Sequence, residues 1–88
     1  MDAAEPESEL DRRIAAVRGE SRSADGTITI ETDPAGRITR LYVADYAMDD
    51  GPDRLAAVLV EQHRNAHTAA IDQAAQILGP ATPGSSDV

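Results

Sequence analysis

The chain has 88 residues, contains no Cys, Phe or Trp, and carries a formal net charge of −8. This length allows a single domain, the lack of Cys excludes disulfide bonds, and the acidic balance argues against a simple polyanion-binding protein. No run of about 18 apolar residues predicts a membrane-spanning helix, and no basic-then-apolar signal segment opens the chain. We therefore expect a cytoplasmic protein. About 70 residues remain to fold, and their large apolar residues are mostly Ile, Leu and Val. Because the core of such a domain is thin, we also expect self-association.

Both ends of the chain are predicted to be flexible tails, over residues 1–7 and 80–88. The first segment is acidic and the second is rich in Pro, Gly and Ser, so neither can bury much apolar surface. The folded domain is therefore predicted to span residues 8–79.

A short helix is predicted at the start of this domain. Ser8 and Asp11 have the spacing of a capping box, with Asp in the place of the usual Glu. Leu10, Ile14 and Val17 follow at helical spacing. The helix should begin at about Glu9 and end between Ala16 and Arg18. Because a helix this short is not stable alone in water, it must pack on the rest of the domain.

Two β-branched runs on either side of a turn predict a β-hairpin within residues 26–45. In the first run Ile28 and Ile30 alternate with polar residues, which is the period of a strand with one buried face. The turn itself, Asp33 to Gly36, places Asp, Pro and Gly at positions that each of them favours. The hairpin should therefore be in register around this turn.

The second run of the hairpin carries an irregularity. Thr39, Leu41 and Val43 share one face of the predicted strand, whereas Ile38 falls outside that alternation. An extra residue in one strand would restore the pattern, so the sequence predicts a β-bulge beside the turn.

Residues 17–23 fit either a loop or an exposed first strand, and Ala24 to Gly26 reads as a turn. With a strand here, the middle of the chain becomes a three-stranded antiparallel meander. The predicted fold class is then α+β, an α-β-β-β-α protomer with the meander between a short and a long helix.

A long helix is predicted from Pro52 to Leu78. Proline is favoured at the first helical position, acids precede it, and Gly79-Pro80 follows its end. Its apolar residues form two offset stripes, which usually means two partners. One stripe should cover the sheet and the other a second subunit, giving a homodimer. The predicted interface residues are Leu55, Val58, Leu59, Ile71 and Leu78.

No constellation of residues predicts catalysis or a bound metal. His63 and His67 have a spacing that can hold a metal ion, but Arg64 stands where the zincin motif requires Glu, and no third ligand is evident. Helix capping accounts for the acids at 49, 50 and 53 without a bound cation. We therefore predict a protein that is not an enzyme, with no cofactor and no metal.

Three segments follow one another in a specific order. They are Val17-Arg18-Gly19-Glu20-Ser21, Gly26-Thr27-Ile28-Thr29-Ile30, and the stretch from Gly36-Arg37-Ile38 to Leu41-Tyr42-Val43, followed by an acidic pair and an alanine-rich last helix. Together they resemble the YbaB/EbfC family of bacterial nucleoid-associated proteins. The resemblance covers about residues 14–78. It implies that residues 17–23 form the first strand, and that the protein is an intertwined homodimer with protruding helices that grips DNA without a strong sequence code.

The resemblance makes double-stranded DNA the expected partner and the nucleoid the expected location. Residues 12–40 hold six arginines against four acids, whereas the flanking segments are acidic. The predicted DNA-binding residues are Arg12, Arg13, Arg18, Arg22, Arg37 and Arg40. Acidic relatives linked to type VII secretion imply an alternative, a non-catalytic accessory or chaperone-like protein that binds a protein partner and not DNA.

Overall fold

A computed structural model describes residues 8–79, so the predicted tails at 1–7 and 80–88 lie outside the described residues. The described chain consists of α1 (Glu9–Ala15), β1 (Gly19–Arg22), β2 (Ile28–Thr32), β3 (Ile38–Val43), a 3₁₀ turn (Asp45–Met48) and α2 (Pro52–Leu78). The predicted α+β class and its α-β-β-β-α order are confirmed, and the 3₁₀ turn was not predicted. None of the helices in residues 8–79 has the length and apolarity that crossing a membrane requires.

Both ends of α1 are stabilised by local contacts. The Ser8 hydroxyl accepts a hydrogen bond from the Asp11 backbone N–H at 3.0 Å, and the Asp11 carboxylate accepts one from the Ser8 N–H, which confirms the capping box. At the other end the Arg18 guanidinium donates to the carbonyl oxygens of Ala15 and Val17. These side chains satisfy backbone groups that the short helix leaves without partners.

The sheet is an antiparallel meander with β2 in the centre. The segment 17–23, which fitted either a loop or a strand, contains strand β1 over Gly19–Arg22. The register between β2 and β3 shifts between Glu31 and Thr32, which confirms the predicted bulge. Thr39 is the extra residue of the bulge, and its hydroxyl donates to the Glu31 carboxylate at 2.8 Å. Ile38 thereby returns to the face of Leu41, with which it lines a common groove.

Helix α2 packs across β1 and β2. Ile28, Ile30 and Ala66 form the buried centre of the core, and the apolar side chains of the first half of α2 pack around them. A Cβ on Gly19 would overlap the Ala66 carbonyl oxygen and the Ala70 backbone nitrogen, and would lie 2.9 Å from the Ala70 Cα. Glycine in β1 therefore allows the backbone of the helix to approach the backbone of the strand closely.

Strand β3 is not covered by α2. Its aliphatic residues lie on the face that continues Ile28 and Ile30, yet all six residues of the strand are exposed. Between β3 and α2 runs a groove of about 320 Å³. It is lined by Ile30, Ile38, Leu41, Leu59, Val60 and His63. We call this feature the apolar groove.

Candidate nucleic-acid interface

The six arginines predicted to contact DNA occupy two regions of the protomer. All six are exposed. Arg12, Arg13 and Arg18 belong to α1 and the segment that follows it, and Arg37 ends the turn between β2 and β3. The other two lie on the sheet.

α1 and the β2–β3 turn are neighbours in space. Ile14 and Ala15 of the helix line a cavity of about 200 Å³ together with Pro34, Ala35 and Arg37 of the turn. The arginines of these two elements therefore share one end of the protomer. We call this end, with Arg12, Arg13, Arg18 and Arg37, the arginine end.

Two of these arginines have local carboxylate partners. Arg12 Nη2 lies 3.1 Å from Glu9 Oε1, and Arg37 Nε lies 2.9 Å from Asp33 Oδ2. The Arg37 side chain is nevertheless 80% exposed. The Arg12–Glu9 pair is exposed on both sides and contributes little free energy, so a phosphate can compete for that guanidinium. In the other pair the Asp33 side chain is only 12% exposed, but the exposed Arg37 guanidinium can still meet a phosphate from the solvent side.

Asp33 serves mainly to close the turn. Its Oδ1 accepts the Arg37 backbone N–H at 2.9 Å, and the Gly36 N–H donates to its carbonyl oxygen. The pKa of its carboxyl is lowered, first by the hydrogen bond from the Arg37 backbone N–H and then by the Arg37 side chain. The ionised carboxylate thus holds the backbone of the turn that presents Arg37.

Arg22 and Arg40 lie on the outer face of the sheet, away from α2. Glu20 pairs with Glu31 across β1 and β2, and Glu31 pairs with Arg40 across β2 and β3, so this face also holds two carboxylates. Within residues 8–79 neither of the two arginines forms an ion pair. The face is balanced in charge and is a weaker phosphate site than the arginine end.

The opposite end of the protomer is acidic. The Ala44 N–H donates to the Thr27 carbonyl oxygen at 2.8 Å, which brings the 3₁₀ turn to the end that holds the β1–β2 turn. Five exposed aspartates lie at this end, and Arg54 is a nearby basic residue. They are Asp25, Asp45, Asp49, Asp50 and Asp53.

The charge of the described residues is also uneven along the chain. Residues 8–40 carry six arginines and six acids, whereas residues 41–79 carry two arginines and six acids. The remaining four acids of the chain lie outside the described residues and account for half of the net charge of −8. The arginine end places four exposed guanidinium groups at the end of the sheet opposite the β1–β2 turn.

His63 and His67 project from α2 onto the β2–β3 turn. The Nε2 of His63 lies 2.7 Å from the Gly36 carbonyl oxygen, and that of His67 lies 3.0 Å from the Pro34 carbonyl oxygen. Their four-residue spacing indicated a shared helix face, but the sequence did not indicate the turn as their partner. Within residues 8–79 no group of three His, Cys, Asp or Glu residues is arranged to hold a metal ion.

The five predicted interface residues fall into two groups. Leu55, Val58 and Leu59 are half-buried and pack on the core of their own protomer. Ile71 and Leu78 lie on the second half of α2 and are 48% and 61% exposed. Sequence reasoning missed Ile38 and Leu41 as apolar surface, although a bulge between them puts both on one face of β3.

A sequence model of the YbaB/EbfC DNA-binding family matches residues 3–85. The chain belongs to this family. Searches of curated proteins and of solved structures gave no significant match. The YbaB/EbfC family is a nucleoid-associated, DNA-binding family, so the arginine end of this member is its candidate nucleic-acid interface.

Proposed function

We propose that this protein is a non-catalytic, homodimeric nucleoid-associated protein of the cytoplasm, which binds double-stranded DNA weakly and without sequence preference through the arginine end. The observation that carries the proposal is the grouping of Arg12, Arg13, Arg18 and Arg37 at the end opposite the acidic one. Family membership supports DNA as the ligand.

The net charge sets the expected strength of binding. Two chains of −8 carry −16, so the dimer as a whole is repelled by DNA at distances beyond the screening length of about 8–10 Å. Inside that length, guanidinium groups still form hydrogen bonds with phosphate oxygens. Binding that depends on a few phosphate contacts is indifferent to base sequence and is lost quickly as salt rises.

The uncovered sheet supports the homodimer. Ile38 and Leu41 are each 51% exposed and Val60 is 57% exposed, and all three line the apolar groove. A core this small gains stability when a second copy covers such a surface. The exposed Ile71 and Leu78 extend the apolar surface along α2. Two copies would also double the number of arginine ends that face one duplex.

The test compares two charge-reversal variants that alter the same number of exposed helical arginines. Arg13→Glu changes the arginine end, and Arg54→Glu changes the start of α2 at the acidic end. In fluorescence anisotropy on duplex DNA at about 50 mM salt, where electrostatic binding is strong, we expect the first variant to lose about tenfold or more in affinity. The second should lose much less, and both should remain dimers in sedimentation.

Two observations support a second candidate function. Two arginines pair with local acids, and the other end of the protomer is strongly acidic. These features suit a chaperone-like accessory protein, for example of a type VII secretion system, that binds a protein partner. No anisotropy change for the unmodified protein at about 50 mM salt and tens of micromolar concentration, conditions that favour phosphate contacts, would favour this candidate over DNA binding.

A further inference from the structure

The first seven residues of the chain join the domain at the helix that carries two arginines of the arginine end. This segment contains three acids and no basic residue. They are Asp2, Glu5 and Glu7. The segment connects to Ser8, the N-cap of α1, and Arg12 and Arg13 lie within that helix. Three carboxylates are therefore attached directly to α1.

The connection is short compared with the reach of the segment. Seven extended residues span at most about 24 Å. Helix α1 has seven residues and is about 10 Å long, and its last turn lines a cavity together with Arg37 of the β2–β3 turn. The carboxylates can therefore reach each guanidinium of the arginine end. Groups held by so short a connection act at an effective concentration in the millimolar range.

The charges of the arginine end and of residues 1–7 are opposite. The four arginines of this end are accompanied by Glu9, Asp11 and Asp33, which leaves a net charge of +1. Residues 1–7 carry a charge of −3. Their approach would change the local charge from +1 to −2, and an end with that charge no longer attracts a phosphate.

Three guanidinium groups of this end have donors that a carboxylate can use. Arg13 forms no ion pair within residues 8–79. Within the same residues Arg18 uses Nη1 for its hydrogen bonds to carbonyl oxygens, so its Nε and Nη2 are left as donors. The side chain of Arg37 is 80% exposed although it contacts Asp33. Because guanidinium binds carboxylate and phosphate in the same bidentate geometry, the two anions compete.

We propose that residues 1–7 compete with DNA for the arginine end and thereby limit the DNA affinity of the protein. This inference rests on the proposed DNA-binding function. A duplex must displace the three carboxylates before its phosphates can reach Arg13, Arg18 and Arg37. Removing the carboxylate charges therefore raises affinity. Because the competing contact is electrostatic, its effect becomes smaller as salt rises.

The experiment compares the unmodified protein with two variants that each lose three negative charges. The test variant is Asp2→Asn/Glu5→Gln/Glu7→Gln. The control variant is Asp45→Asn/Asp49→Asn/Asp50→Asn, which alters exposed residues of the acidic end. In fluorescence anisotropy on duplex DNA at about 50 mM salt, we expect the test variant to bind about fivefold or more tightly than the unmodified protein. The control should gain less than about twofold, because the arginine end is unchanged.

A second salt concentration separates competition from a general effect of net charge. Raising the salt to about 150 mM shortens the screening length to about 8 Å, so the gain of the test variant should become smaller. An equal gain in the control, no gain in the test variant, or a gain that does not fall with salt would overturn the inference alone. Absence of binding by all three proteins at tens of micromolar concentration would overturn the proposed function and the inference with it.

Discussion

Ile30 and Leu41 are cross-strand partners on the same face of the sheet, yet their environments differ. Ile30 on β2 is 1% exposed beneath α2, whereas Leu41 on β3 is 51% exposed. The two residues have similar size and hydrophobicity. The difference shows that the position of the covering helix, and not the apolar pattern of the strands, divides this sheet into a covered half and an uncovered half.

The division has a simple geometric cause. A helix is about 10 Å wide and neighbouring strands are about 4.8 Å apart, so one helix covers about two strands. Helix α2 can lie over β1 because Gly19 has no side chain, which allows close contact with the helix backbone at Ala66 and Ala70. The Ser21 hydroxyl also donates to the Gln62 side chain from that strand. β3 is therefore left for another cover, which we propose is a second copy.

The largest difference in the free energy of unfolding is expected between alanine substitutions of Ile30 and of Leu41. Ile30→Ala should lower the free energy of unfolding of the protomer by about 2–4 kcal/mol, because it leaves a cavity in the closed core. Leu41→Ala should have a much smaller effect on the protomer, since most of its cost arises only where a second copy covers it. Urea denaturation at low protein concentration measures both values. Equal losses would show that the two halves are equivalent.

The uncovered half should instead control association. Leu41→Asp places a charge in the apolar groove, so we expect a folded protomer that no longer forms dimers. Sedimentation at micromolar concentration reports the change, and circular dichroism checks that the helices remain. A well-folded monomer from the unmodified chain under the same conditions would contradict the proposed dimer.

A smaller effect is expected at the turn that joins the two halves. Gly36→Val should destabilise by about 1 kcal/mol or more, because a β-branched residue is strained at positive φ and here also meets the His67 ring. The matched control is Gly26→Val in the β1–β2 turn, where φ is +77° and a Cβ would meet nothing within 4 Å. Thermal unfolding should show the larger loss for Gly36→Val; equal losses would mean that the histidine ring is not in contact.

The smallest effect concerns acid stability of the same two turns. The pKa of Asp33 is lowered by the Arg37 N–H, and that of Asp25 by the hydroxyl and N–H of Thr27. Each carboxylate therefore contributes stability that is present above its unfolded pKa near 3.8 and is lost as pH falls through the lower folded value. Asp33→Asn and Asp25→Asn should each flatten the fall of unfolding free energy between about pH 5 and 2. If the unfolding free energy of both variants fell with pH as steeply as that of the unmodified protein, neither carboxylate would contribute to acid stability in this way.

The sequence by itself determined the elements whose causes are local. Proline, acids and a closing glycine determined α2 from Pro52 to Leu78, and the capping box determined the start of α1. The break in alternation at Ile38 determined the bulge, because a period of two reveals a single extra residue. The prediction of the first strand depended on the family resemblance, because this short strand of four residues has no clear apolar period.

Only the tertiary structure decided how these elements meet. Leu55, Val58 and Leu59 are half-buried against the core, while Ile38 and Leu41 stay uncovered. The hydrogen bonds from His63 and His67 to the β2–β3 turn join residues that are 27 and 33 positions apart in the sequence. The arginine end brings together two elements that are separated in the chain by the first two strands. Contacts over such distances depend on where α2 and α1 lie on the sheet. That placement is a property of packing between elements, to which no local pattern of residues corresponds.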